Sequence, residues 1–291
     1  LSQKNPGFLS LYEIEGTVNF DQNPAFLNPN VCPRFQEGLS SFKNWLVEET
    51  NKRSSKTIYK FGDGDYYFLK KIPAGSASPG KRAIGKPYEE LKNHHEFVEG
   101  VCKNDLIAVE IYNTHYFVDL FPGVGVNIPA EYGYGLVSNR WLTKNFAGKI
   151  GLIGASEKLN LIRNLMKKQE YQEFLGLNDF NDYISIPQKF ACDNLEEVEK
   201  EVAKQLENSN NETRIFLVGI GHVKSGLLHR LKKYKNAIFY DVGSGIDALA
   251  GIVDFNRPYM GAWTNYRLRD FDYGKIDFLQ YVPDLSKEIW I

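Results

Sequence analysis

Along the second half of the chain, short β-favouring runs at 149–153, 183–186, 214–218 and 237–240 alternate with segments of helical periodicity at 156–168, 193–206 and 224–234. A short helix is expected at 245–250, and Ser156 is a plausible N-cap for the helix that it opens. Such alternation argues for an α/β, Rossmann-like domain with a mostly parallel central sheet and helices on both faces. The first half reads the same way, less regularly. Phe35, Leu39, Phe42 and Leu46 recur at helical spacing, 57–61 and 106–112 are β-rich, and helices are expected from Pro87 to about residue 101 and over 136–146. Gly75, Pro79, Gly80, Gly85 and Pro87 mark 73–87 as a flexible loop that would serve as a lid, and another Gly/Pro loop falls around 122–135.

With 291 residues, no fixed-period repeat and no long linker, one domain is expected, with 1–34 an irregular N-terminal extension and 254–291 an aromatic-rich tail. A net charge of -1 supplies no field that would hold the chain on a polyanion, so nucleic acid is not expected as a partner. The hydrophobic fraction of 43% excludes a disordered chain. Cys32, Cys102 and Cys192 lack the spacing of a disulfide framework or a zinc knuckle, which favours a reducing compartment. No apolar stretch approaches the roughly 20 residues that span a bilayer, and the first residues lack a signal-peptide core. A cytoplasmic protein without a transmembrane segment is therefore expected.

Three segments carry candidate chemistry. In Lys60-Phe61-Gly62-Asp63-Gly64-Asp65, an extended backbone would point Asp63 and Asp65 to one side, where both would reach a divalent cation. The competing reading is a hairpin turn at Asp-Gly. In 215–226, a strand ends in Gly219-Ile220-Gly221-His222 and enters a helix through Lys224-Ser225-Gly226. Small residues and free N–H groups there suit phosphate oxygens. The dinucleotide fingerprint is imperfect, because Lys224 stands where a third glycine would be, although Asp241 lies near the expected place of a ribose-binding carboxylate. The third segment, Asp241-Val242-Gly243-Ser244-Gly245-Ile246-Asp247, follows another strand, and two successive turns at the carboxyl edge of a parallel sheet would share a site. All these residue types also form ordinary turns and caps.

His222 and Ser225 lack the nucleophile elbow of a hydrolase. His94 and His95 are adjacent on a predicted helix, diverge by about 100°, and are expected at the surface rather than on a metal. In the tail, Arg257, Trp263, Tyr266, Arg267 and Arg269 would contact phosphate and sugar, or would simply pack on the core.

The order of a K-F-G-D-G-D segment, a distant strand with a Gly turn, and Y-D-V-G-S-G-I-D-A-L-A-G over 240–251 resembles the GT-D type glycosyltransferases, over roughly residues 35–255. The resemblance implies that Asp63 and Asp65 bind a divalent metal, Mn2+ or Mg2+, together with the diphosphate of a nucleotide sugar. The family commonly carries Arg at the position of Lys60 and Glu at that of Asp65. The expected function is thus metal-dependent transfer of a sugar from a nucleoside diphosphate donor, a UDP-sugar in first place, to a hydroxyl of a glycan or glycoconjugate. The expected donor site comprises Gly62, Asp63, Gly64, Asp65, Gly219, Gly221, His222, Ser225, Asp241 and Ser244, with Asp247 and His222 as candidate bases. The alternatives are an NAD- or SAM-dependent Rossmann enzyme and a non-catalytic nucleotide- or glycan-binding module.

Overall fold

The computed structural model describes residues 35–250 apart from Asn139 and Gln188, so the extension 1–34 and the aromatic tail, including Arg257 and Trp263, lie outside the described residues. Strands β1 (Lys56–Phe61), β2 (Leu106–Val109), β3 (Ile128–Pro129), β4 (Ile150–Ala155), β5 (Tyr183–Ile186), β6 (Ile215–Gly219) and β7 (Ile238–Asp241) form one sheet in the order β3-β2-β1-β7-β6-β4-β5. Every neighbouring pair is parallel. This is the α/β architecture that the alternation predicts.

Both faces of the sheet are covered, which is why its strands read as continuous apolar runs rather than alternating ones. Ile58, Leu152, Leu217 and Tyr240 enter one core with α1 (Phe35–Asn51), α5 (Glu131–Ser138), α6 (Trp141–Asn145), α7 (Ser156–Leu165), α8 (Gln169–Leu175) and α11 (Gly245–Leu249). Tyr59, Phe61, Phe216, Val218 and Phe239 enter the other with α2 (Asp63–Leu69), α3 (His94–Val101), α4 (Thr114–Leu120), α9 (Leu195–Glu207) and α10 (Lys224–Leu227). In α9 the buried Leu195, Val198, Val202 and Leu206 recur every three or four residues, and the Asn194 side chain caps the Glu197 N–H at 3.3 Å.

Several elements differ from the sequence reading. Residues 63–69 are helical, so both the extended and the hairpin readings of the Gly-Asp segment are corrected. The helix expected from Pro87 starts at His94, because Asn93 sits in the left-handed region at φ 60 and a tight turn precedes it. Arg140, at φ 64, divides the 136–146 segment between α5 and α6. Ala155 rather than Ser156 stands at the N-cap of α7, and α8 lies where the sequence reading places no helix. His94 is buried and bonds the Phe68 carbonyl at 3.1 Å, whereas His95 is exposed as expected.

No helix among the described residues is long and apolar enough to cross a membrane. The chain leaves β1 into α2 on one face of the sheet and leaves β7, its neighbour, into α11 on the other. A crevice therefore opens at the carboxyl ends of these two strands, where parallel α/β sheets collect ligands.

Candidate functional site

That crevice is a cleft of about 420 Å³, within the roughly 300–1,000 Å³ usual for small-molecule sites. Lys60, Asp63, Gly64 and Asp65 reach it from β1 and α2, Glu110 and Asn113 follow β2, and Lys158 comes from α7. Gly219 ends β6 and Gly221, His222 and Lys224 follow it, whereas Asp241 ends β7 and Gly243, Ser244 and Asp247 follow it. Ser76 and Arg82 enter from the loop between α2 and α3. The segment at 60–65 thus meets, around one space, two turns that lie more than 150 residues further along the chain.

The geometry of the first turn of α2 separates its two acids. Gly62 is the N-cap and Asp65 the third helical residue, whose carboxylate turns back to accept the Gly62 N–H at 2.9 Å. Asp65 also accepts from the Tyr59 hydroxyl at 3.2 Å and from the Lys224 ammonium at 3.2 Å. Asp63, one turn-position away, is exposed and accepts only the Gly64 N–H, at 2.7 Å, among the contacts described. The two carboxylates do not form the same-side pair expected of an extended segment. Among the described residues no group of three His, Cys, Asp or Glu side chains could hold a metal ion. The donor set does not fit a divalent ion held by the protein alone.

Asp241 is almost wholly buried and accepts from Lys224 at 2.7 Å, from the Lys60 N–H at 3.1 Å and from the Gly243 N–H at 3.0 Å. Its carboxylate is held by these three protein donors, which weakens the feature that favours a dinucleotide enzyme. Ser225 is fully buried behind the cleft, 2.8 Å from the Tyr59 hydroxyl, so its expected contact with a donor is corrected to a core hydrogen bond. Gly62 likewise stands behind the lining, where a Cβ would come within 2.8 Å of the Lys60 ammonium.

Gly221 adopts φ 61, a conformation that favours glycine, and turns the chain from β6 into α10. At Gly219 a Cβ would lie 2.5 Å from the Ile246 side chain and 3.0 Å from the Gly243 carbonyl. Close packing of the two turns therefore requires glycine there. Ser244 lines the cleft, and its buried hydroxyl has no hydrogen-bond partner among the described residues.

His222 stacks on Phe68 at 5.0 Å, and its Nε2 lies 3.0 Å from the Ser76 hydroxyl. Burial pushes the imidazole down to about 4, outweighing the attraction of Asp65, so it is neutral at pH 7 and a weak base. Asp247 is ion-paired with the buried Lys158, joining α11 to α7 across the cleft. Glu110 pairs with Lys60 at 2.9 Å and accepts the Tyr134 hydroxyl at 2.7 Å; burial raises its pKa, but these partners outweigh burial and hold it down to about 2.

Glu131, beneath this pair, accepts the Ile111 N–H with one oxygen at 2.9 Å and leaves the other buried without a partner among the described residues. Burial, with the nearby Glu110 charge adding to it, pushes Glu131 up to about 7. Because its folded value lies above the ordinary 4.5, this group's stabilising contribution is complete below pH 4.5 and is lost as pH rises through 7. Glu131→Gln should match the wild type near pH 4 and be more stable by up to about 3 kcal/mol at pH 8, following 1.36 kcal/mol per pKa unit. Urea unfolding across pH checks this, and parallel stability curves would contradict it.

Compared with protein-family models, curated proteins and solved structures, the chain finds no match.

Proposed function

We propose that the cleft binds a nucleoside diphosphate sugar, with a UDP-sugar as first choice, and transfers the sugar to a hydroxyl of a glycan or glycoconjugate. The convergence of the Lys60–Asp65, Gly219–His222 and Asp241–Asp247 segments on one cleft at the crossover of a parallel sheet carries this reading. In the transfer, the bond from the anomeric carbon to the diphosphate breaks with its electron pair leaving on the diphosphate oxygen. The acceptor oxygen forms the new bond. Charge building on the leaving group is met by Lys158 and Arg82 and by N–H groups of the Gly219–His222 turn.

In an inverting reaction the acceptor hydroxyl must lose its proton, and Asp247 is the base that the geometry favours over the neutral, stacked His222. A diphosphate that draws Lys158 to itself loosens the pair and leaves the Asp247 carboxylate to the acceptor. Tyr66, next in the chain to the cleft-lining Asp65, stacks on Tyr116 at 4.2 Å, and Tyr112, next to the cleft-lining Asn113, is 59% exposed. These rings offer the acceptor flat apolar faces.

A panel of sugar nucleotides assayed for hydrolysis and transfer tests the reading. One of them should be turned over, and Lys158→Ala should lower kcat by roughly 10²-fold, the usual loss of one charge-stabilising group. Failure of every donor, or an unaffected Lys158→Ala, would remove the proposal. Binding without turnover would make the cleft a nucleotide-binding module instead.

A further inference from the structure

The resemblance to GT-D type glycosyltransferases gives Asp65 to a divalent cation, yet a cation of the chain itself already stands against that carboxylate. The Lys224 ammonium lies 3.2 Å from Asp65 and 2.7 Å from Asp241, and it donates its third N–H to the Lys60 carbonyl. All three of its donors are therefore used. The side chains of Lys224, Asp65 and Asp241 are 6%, 5% and 1% exposed, and the ammonium sits over the Tyr59 ring at 4.7 Å. The other oxygen of Asp65 takes the Tyr59 hydroxyl, and that of Asp241 takes the Gly243 N–H.

A divalent ion needs several oxygens at about 2.0–2.6 Å, which Asp65 and Asp241 would supply only if the ammonium left. We infer that Lys224 is a built-in cation that occupies the place between Asp65 and Asp241 which a divalent metal would otherwise take. It also ties together the ends of β1, β7 and the turn after β6, so the cleft keeps its shape whatever the metal supply. Asp65 and Asp241 are the anchors of that cation.

The test is Mn2+ binding to the full chain without nucleotide, followed by electron paramagnetic resonance. Its readout is cation binding alone, so a failure to transfer sugar leaves the inference standing. The wild type should show no stoichiometric site. Lys224→Met keeps the alkyl stem, uncovers the acid pair and should bind Mn2+ at least tenfold more tightly than the wild type, and adding Asp65→Asn should abolish the gain. A folded Lys224→Met without any gain would overturn the inference. Should that variant not fold, the wild-type arm decides. No stoichiometric Mn2+ sustains the inference, and one bound Mn2+ that Asp65→Asn removes ends it.

Discussion

Asp241→Ala is expected to lose about 3–5 kcal/mol of stability, the range for breaking a buried ion pair from one side. Its carboxylate, in a side chain only 1% exposed, meets Lys224 at 2.7 Å and two backbone N–H groups at 3.0 and 3.1 Å. Removing it strands these donors and leaves the ammonium with a single carboxylate. Asp63→Ala is the control, because that exposed side chain bonds only the Gly64 N–H among its described contacts and should cost less than about 1 kcal/mol. Chemical denaturation of both variants checks the contrast. Equal losses, or a negligible loss in Asp241→Ala, would contradict the account of a keystone at the sheet edge.

Gly100→Ala is the second large effect. A Cβ at Gly100 would lie 2.0 Å from the Ser225 backbone carbonyl, so α3 and α10 touch there with no room for a methyl group. Relief requires one helix to move, and overpacking of this kind costs about 1–3 kcal/mol and occasionally more. The displacement has a path into the site. Ser225 bonds the Tyr59 hydroxyl at 2.8 Å, which donates to Asp65 at 3.2 Å, and the adjacent Lys224 holds both acids. Loss of stability and weaker nucleotide binding should therefore appear together in this variant although Gly100 lies outside the cleft. Calorimetry and thermal unfolding measure the two, and a wild-type melting temperature would contradict the packing described.

The sheet was legible where strands are short, apolar and bounded by turns. The reading of 183–186 coincides with β5, and the other strand readings overlap observed strands, because burial on both faces leaves continuous runs with little else to be. The helices were less legible. Arg140 holds a left-handed conformation without being glycine or asparagine, so nothing local announces the break between α5 and α6.

In the Gly-Asp segment the decisive signal lies in the spacing of Gly62 and Asp65. A carboxylate three residues after Gly62 is placed to accept the N–H of a helix N-cap, the one half of a capping box that a glycine N-cap allows, and that role makes Asp65 a different residue from Asp63. In the sequence Lys224 is only a departure from a glycine pattern, whereas its meaning lies in carboxylates contributed by residues 65 and 241. Lys158 is a cation among the buried Leu159, Leu161 and Ile162 of α7, which marks it as functional or paired, but the pairing with Asp247 is a tertiary fact. Glu110 directly follows the apolar β2, a position at which a parallel sheet presents polar side chains to a ligand.

The most direct measurement is a crystal structure of the chain with UDP. The account predicts the diphosphate in the cleft, its oxygens within hydrogen-bond reach of Lys158 and of backbone N–H groups in the turn after β6, with Lys224 still bridging Asp65 and Asp241. A nucleotide bound away from the carboxyl ends of β1, β6 and β7, or one that shares the cleft while touching neither Lys158 nor that turn, would contradict it.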